Sequence, residues 1–111
     1  MTGTATSSAH VLWTAGDAAA AVNGTLHGAD WNAMGVSIDS RTVKPGDLFI
    51  ALAGPNFDGH AYAAKALAAG ASAVLVSHRP ADLPADAPVL LVEDTFAALQ
   101  DLGSVARLRA K

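Results

Sequence analysis

Two short polar clusters hold residue types that could bind a small ligand. The first is Asp39-Ser40-Arg41, and the second runs from Asn56 to His60. Ser40 offers a hydroxyl group, and Arg41 offers a planar guanidinium that suits phosphate or carboxylate. Asn56 adds a paired donor and acceptor that suits the amide-like edge of a nucleobase. The two clusters therefore provide the groups that a phosphate-bearing ligand would need.

The second cluster is also compatible with local turn chemistry. Asn and Asp beside glycine are common turn formers, and Asp58 can cap a helix that begins near His60. Gly59 lets the backbone approach a ligand closely, and it opens a helix whose N-terminus can face an anion. From residue chemistry alone, ligand binding and turn-and-cap roles both remain open for Asn56 and Asp58. Arg41 can equally be a surface ion-pair residue, and His60 a local hydrogen-bonding residue.

Other kinds of active site receive little support from the sequence. Ser40, His60 and Asp58 are the residue types of a hydrolytic triad, but no nucleophile elbow accompanies them. Three further histidines are isolated in the sequence, namely His10, His27 and His78. No histidine–carboxylate group has metal-ligand spacing, and the absence of cysteine is compatible with a reducing cytoplasm. We therefore predict no metal site and no catalytic residue in this chain.

Length and composition predict a single domain and argue against a nucleic-acid-binding surface and a membrane span. A chain of 111 residues can form one core. Its formal net charge is −3, without a basic stripe, and aromatic residues are few, which argues against a nucleic-acid surface. No apolar run approaches the roughly 20 residues that a membrane span needs. We expect residues 1–10 to be a disordered tail and residues 11–111 to be the domain.

Alternating strands and helices must position the two clusters. The expected strands cover 25–28, 34–39, 48–52, 72–77 and 89–92. The expected helices cover 14–23, 60–70 and 95–109. Pro45-Gly46 fits the centre of a type II turn, and the strand–helix–strand order around residues 60–70 predicts a parallel βαβ unit. The fold class is therefore α/β, a small three-layer domain with an about five-stranded mixed sheet flanked by helices.

The apolar pattern makes more detailed predictions for each element. Val36 and Ile38 share one face of their strand, and residues 29–33 are expected to form a loop. The apolar side of the helix over 60–70 would carry Tyr62, Ala66 and Ala69, with Ala63 and Leu67 on an adjoining strip. The apolar side of the last helix would carry Phe96, Leu99, Leu102 and Ala106.

A long central stretch, DSRTVKPGDLFIALAGPNFDGHAYAAKALAAGASAVLV, resembles the N-terminal domain of the Mur ligases, which build the peptidoglycan stem peptide. The family pattern is D-[ST]-R, P-G-x-[LI]-F-x-A, D-G-H with an aromatic residue two positions on, and G-A-x-A-x-[VL]. All parts are present, with Tyr62 where phenylalanine is commoner. The resemblance covers about residues 11–109. NFDGH, LWTAGDAAAAVNGTLHG and VEDTFAALQDLGSVAR are most similar to the members that add D-Ala-D-Ala.

The resemblance implies a cytoplasmic enzyme of three domains, of which this chain would be the first. In that enzyme the first domain holds the UDP end of the UDP-MurNAc-peptide. The second domain binds ATP and Mg²⁺, and the third binds the incoming amino acid or dipeptide. ATP phosphorylates the substrate carboxylate, and the amine of D-Ala-D-Ala then attacks the acyl phosphate.

The resemblance also implies roles for individual residues. Ser40 and Arg41 would face the uridine or the diphosphate. The uracil–ribose pocket would be lined by Asn56, Asp58, Gly59 and His60. Asp39 and Asp58 would orient loops, and Phe49 would be a core residue or a pocket wall.

The sequence has no G-x-x-G-K-[ST] phosphate loop, so no site for ATP phosphates is recognisable in it. We therefore expect a first domain that binds nucleotide sugar weakly, carries no cofactor of its own and catalyses nothing alone. ATP and Mg²⁺ would belong to the remaining ligase domains, which are its partners in cis. Two alternatives stay open: the same domain of the third-residue-adding ligase, and a non-catalytic α/β nucleotide-sugar-binding module.

Overall fold

A computed structural model describes residues 12–54, 57–81, 83–84 and 86–109. The chain forms a small α/β fold with three α-helices and one 3₁₀ turn in its described part. In chain order the elements are β1 (Trp13–Thr14), α1 (Ala15–Val22), β2 (Thr25–His27), β3 (Asn32–Ala33), β4 (Gly35–Ser37), β5 (Asp47–Ile50), β6 (Ala53–Gly54), β7 (Phe57–Asp58), the 3₁₀ turn (Gly59–Tyr62), α2 (Ala63–Ala68), β8 (Ala73–Val76), β9 (Val89–Leu91) and α3 (Thr95–Arg109).

Five strands form the main sheet in the order β2-β9-β8-β5-β4. Strands β4, β5, β8 and β9 run parallel to one another, whereas β2 pairs with β9 antiparallel. Since β5 and β8 are parallel neighbours joined through α2, the predicted parallel βαβ unit is confirmed. The predicted mixed five-stranded sheet is confirmed as well.

Local capping signals set the helix ends. Thr14 Oγ1 accepts a hydrogen bond from the backbone N–H of Asp17, and Asn23 ends α1 in the left-handed region at φ 55°. The carboxylate of Asp94 accepts hydrogen bonds from two backbone N–H groups in the first turn of α3. Gly46 adopts φ +93° in the turn that precedes β5, as its type II position requires.

The core lies on both faces of the sheet. Successive residues of β5 point to opposite faces, so Leu48 and Ile50 pack with α1 and α3, while Phe49 packs with α2. All three side chains are buried, which confirms the prediction of a strand covered on both faces.

Several detailed predictions were wrong. Tyr62 and Phe96 are exposed, and the buried side of α2 consists of Ala63 and Ala66. Residues 29–33 are not entirely a loop, because β3 forms a two-residue antiparallel ribbon with β1. The strand predicted over 34–39 extends only over Gly35–Ser37, at the edge of the sheet, where Val36 and Ile38 remain exposed.

Two further points concern the rest of the chain. The predicted tail over residues 1–10 lies outside the described residues. No helix in the described part of the chain has both the length and the apolar character required to cross a bilayer.

Candidate functional site

The two polar clusters follow neighbouring parallel strands. The first cluster comes directly after β4, and the second follows β5 through the β6–β7 hairpin. Because β4 and β5 run in parallel, their carboxyl ends meet at the same edge of the sheet. A cleft of about 600 Å³ opens there between the first cluster and the start of α2. Clefts beyond the carboxyl ends of parallel strands are the usual ligand sites of open α/β sheets.

The cleft has one wall from the loop after β4 and another from the 3₁₀ turn and α2. Residues 38–41 line the first wall, and Gly59, Tyr62 and Lys65 line the second. Phe49 of β5 lines the cleft too, although it is only 1% exposed, so it serves both as a core residue and as a pocket wall. The lining therefore combines apolar surface with two cations and one carboxylate.

A tight turn presents Ser40 and Arg41 to the cleft. The backbone N–H of Thr42 donates to the carbonyl of Asp39 at 3.0 Å, which closes a four-residue turn with Ser40 and Arg41 at its two central positions. The side chain of Ser37 donates to the same carbonyl at 3.0 Å. The turn is thereby tied to the end of β4 through the backbone carbonyl of Asp39.

The side chain of Asp39 also orients the guanidinium of Arg41. Nη2 of Arg41 lies 2.8 Å from Oδ2 of Asp39, and Nε lies 3.1 Å from Oδ1. The hydrogen bonds from the Arg41 side chain and backbone lower the pKa of Asp39 to about 2. The same pairing raises the pKa of Arg41, with a smaller contribution from nearby Tyr62. Both groups of the pair are therefore charged at neutral pH.

The second cluster is organised around a buried histidine. Asp58 caps the 3₁₀ turn, because its Oδ1 accepts the backbone N–H of His60 at 3.0 Å. The same Oδ1 lies 2.6 Å from Nδ1 of His60, and the backbone N–H of Ser77 donates to Nε2 at 2.9 Å. Since Nε2 accepts a hydrogen bond, the neutral ring carries its proton on Nδ1. The backbone N–H of His60, and then its ring, hold the pKa of Asp58 below its ordinary value.

Glycine is required at position 59 by close backbone contact. The backbone N–H of Gly59 donates to the carbonyl oxygen of Leu52 at 2.7 Å. A Cβ atom on this residue would lie 2.7 Å from that same oxygen and 2.9 Å from the Leu52 nitrogen. Any side chain would push the 3₁₀ turn away from β5 and change the cleft wall.

The cluster around His60 resembles two kinds of functional site, a hydrolytic triad and a metal site, but its hydrogen bonds oppose both roles. Asp58, His60 and Ser77 are arranged like a hydrolytic triad, with Ser77 Oγ 3.1 Å from Nε2. The lone pair of Nε2, however, already accepts the backbone N–H of Ser77, so it is not available to take the hydroxyl proton. His60 therefore anchors the turn to the end of β8 instead of acting as a base.

The same reasoning applies to metal binding. His78 stacks on His60 with ring centroids 4.1 Å apart, and ligand-type atoms of Asp58, His60 and His78 lie within 4.8 Å of one another. The fold therefore brings His78 next to Asp58 and His60, although His78 is isolated in the sequence and the sequence shows no histidine–carboxylate group with metal-ligand spacing. Both ring nitrogens of His60 are already engaged, so a metal ion would have to displace the Ser77 or Asp58 hydrogen bond.

The structure brings most, but not all, of the predicted site residues together. Those that line the cleft are Asp39, Ser40, Arg41, Phe49 and Gly59. Asp58 and His60 lie behind the cleft and support its second wall, and Asn56 lies outside the described residues. Sequence reasoning missed Ile38, Tyr62 and Lys65 as lining residues. The sequence signal that could have identified Tyr62 and Lys65 is their spacing of about one helical turn, which places both on the same face of a helix.

Comparison with known proteins begins with a family model described as "Mur ligase family, catalytic domain", which matches residues 32–107. The Escherichia coli UDP-N-acetylmuramoyl-tripeptide–D-alanyl-D-alanine ligase is 46% identical over 86 residues. That match covers 78% of this chain and 18% of the enzyme. A Rhizobium meliloti UDP-N-acetylmuramoyl-L-alanyl-D-glutamate–2,6-diaminopimelate ligase is 54% identical over 61 residues, covering 54% of this chain and 12% of that enzyme.

Solved structures give the same result for the fold. A crystal structure of MurF from Acinetobacter baumannii matches 87% of this chain with a TM-score of 0.76 and 33% sequence identity. The match covers 21% of the A. baumannii chain. This chain therefore spans about a fifth of the length of the first relatives that it matches.

Proposed function

The chain belongs to the Mur ligase family, and we propose that it holds the UDP end of a UDP-MurNAc-peptide for an ATP-dependent ligase that adds D-Ala-D-Ala. The observation that carries this proposal is the cleft at the shared carboxyl end of β4 and β5, lined by residues of both clusters. It offers a guanidinium and a hydroxyl for phosphate or ribose oxygens, beside apolar surface for a base. Fixing a remote end of the substrate would make the reaction of the peptide carboxylate almost intramolecular.

Individual roles follow from the positions in the cleft. Ser40 and Arg41 contact the uridine or diphosphate from the turn after β4, while Asp39 orients Arg41. Gly59 forms close backbone surface on the opposite wall, and Asp58 and His60 shape this wall from behind. Phe49 supplies apolar surface. Asn56 lies outside the described residues, and its proposed role in the uracil–ribose pocket rests on the family resemblance alone.

No phosphate-loop motif for ATP phosphates is recognisable in this sequence. We assign ATP, Mg²⁺ and the ligation step to further domains of the ligase, which would act in cis, and we expect this chain alone to be inactive. A Thermotoga maritima MurF structure determined with ADP is consistent with nucleotide use elsewhere in the family. Like the family members it resembles, the protein would act in the cytoplasm.

The proposal is tested by titrating the ¹⁵N-labelled chain with UDP and recording amide NMR spectra. Shifts are expected for residues 39–42 and 57–65, because these segments form the two walls. Arg41→Lys should weaken binding, since it keeps the charge but loses the two-pronged donor. Lys44→Arg is the matched control, because Lys44 lies in the same loop but does not line the cleft. Absence of binding, or shifts confined to the groove beside Trp13 and Asp17, would refute the proposal.

A second candidate is the ligase that adds the third residue of the stem peptide. It is favoured by the similarity to diaminopimelate ligases, one of which is 54% identical over 61 residues. The two candidates share the nucleotide-sugar site and differ in the amine that the whole enzyme accepts. Assay of the longer protein with D-Ala-D-Ala and with diaminopimelate separates them, while activity with neither favours a non-catalytic binding module.

A further inference from the structure

The charges of the cleft do not contribute equally to anion binding. Two cations and one carboxylate line it, namely Arg41, Lys65 and Asp39. The carboxylate of Asp39 is ionised well below neutral pH and is hydrogen-bonded to Arg41, so this pair has no net charge. The guanidinium remains a directional donor, but much of its long-range attraction for an anion is cancelled locally.

Lys65 differs from Arg41 in this respect. It is exposed on α2 and lines the opposite wall of the cleft. Among the residues that the structure describes, none forms a salt bridge with it. Lys65 therefore gives the cleft a net charge of +1 on a chain whose formal net charge is −3.

The geometry supports different binding roles for the two cations. Lys65 lies one helical turn after Tyr62, and Tyr62 is near enough to Arg41 to influence its pKa. The two cations thus border one hollow from the two walls, and Tyr62 lines the same hollow. A flexible ammonium group can follow a diphosphate as a point charge, whereas the held guanidinium can fix its orientation.

We propose that Lys65 supplies the uncompensated positive charge that attracts and retains the diphosphate, while the Asp39-held Arg41 orients it. This inference rests on the proposed function and extends it to a residue that makes the site prefer UDP over uridine. Removing the charge of Lys65 should therefore change the affinity for the diphosphate and leave the affinity for the nucleoside unchanged.

The test compares Lys65→Gln, Lys65→Arg and the control Lys44→Gln by calorimetric titration with UDP and with uridine. Lys65→Gln should weaken UDP binding roughly two- to fivefold, which is the range for an exposed charge interaction, and should leave uridine binding unchanged. Lys65→Arg should restore UDP binding. The UDP affinity of Lys65→Gln should also fall less steeply with added salt than that of the unsubstituted chain.

The outcomes separate this inference from the proposed function. If the unsubstituted chain binds UDP but Lys65→Gln and Lys44→Gln behave alike, Lys65 has no role in attracting the diphosphate. An equal loss for UDP and uridine would also overturn the inference, because it would indicate a general change of the pocket. If the unsubstituted chain does not bind UDP, the proposed function fails and the inference fails with it.

Discussion

At the residue scale, the pairing of Asp39 with Arg41 determines how the first cluster is presented. The carboxylate accepts both the backbone N–H and the side chain of Arg41, so one residue fixes the turn and the guanidinium together. Such an arrangement limits the number of side-chain conformations that Arg41 would lose when it binds a ligand.

The Asp39 interaction predicts a specific pH dependence. Its pKa is about 2 in the folded chain and 3.8 ordinarily, so the pair stabilises the fold fully above about pH 4. This contribution is lost as the pH falls through the folded-state value near 2. A ¹³C NMR titration of the Asp39 carboxyl should give a midpoint near 2, and Asp39→Asn should remove this part of the acid sensitivity. A midpoint near 3.8 would show that the pairing with Arg41 does not persist in solution.

Residue types and the family resemblance together predicted Ser40 and Arg41 as site residues, although residue types alone left a surface ion-pair role equally open for Arg41. They did not identify Tyr62 and Lys65 as lining residues. A regular helix from His60 would have placed Tyr62 on the buried side with Ala66. The helix instead begins as a 3₁₀ turn, which rotates Tyr62 towards the cleft.

At the element scale, the 3₁₀ turn is attached to the sheet through His60. The ring is 4% exposed and links Asp58 at the start of the turn with the backbone of Ser77 at the end of β8. This link holds Gly59 and Tyr62, which form part of the second wall of the cleft. His60 therefore acts on the site as a positioning residue.

Removal of the His60 link between the 3₁₀ turn and β8 should lower the stability of the fold. His60→Ala leaves the Ser77 N–H unpaired and opens a cavity, so we expect a loss of about 2–4 kcal/mol in the free energy of unfolding. His78→Ala is the control, because it removes only an exposed stacked ring and should cost less than about 1 kcal/mol. Urea unfolding measures both values.

A third variant, His60→Gln, keeps an acceptor for the Ser77 N–H. Its free energy of unfolding should therefore lie between those of His60→Ala and His78→Ala. His60→Gln should also retain more UDP affinity than His60→Ala at a urea concentration where both remain folded. Equal stabilities for His60→Ala and His78→Ala would show that His60 does not anchor the turn.

Elements with strong local signals were predictable, and the short ones were not. Thr14 and Asn23 delimit α1 by capping chemistry, and Gly46 marks its turn by its positive φ. The β1–β3 ribbon was missed because two-residue strands are too short to show periodicity. The exposure of Val36 depends on which strand lies at the sheet edge, and the sequence does not specify strand order.

At the scale of the whole molecule, the two edges of the sheet have different roles. β8 and β5 are central and buried on both faces, whereas β4 and β2 form opposite edges with one neighbour each. The cleft depends on the β4 edge, since the Asp39–Arg41 turn follows this strand directly. Edge strands have fewer contacts and open locally at a lower free energy than central strands.

Amide hydrogen exchange with and without UDP should reveal this asymmetry. The Met34 N–H donates to the Gly46 carbonyl beside β4, and the Ala29 N–H donates to the Asp86 carbonyl beyond β2. An opening that destroys the cleft must first release the ligand, so UDP at ten times its Kd should slow exchange at Met34 about tenfold. Opening near Ala29 leaves the cleft intact, so UDP should not change its exchange rate. Equal slowing at both amides would show that the sheet opens only as a unit. Unchanged exchange at Met34 would show that opening of the β4 edge does not depend on ligand binding.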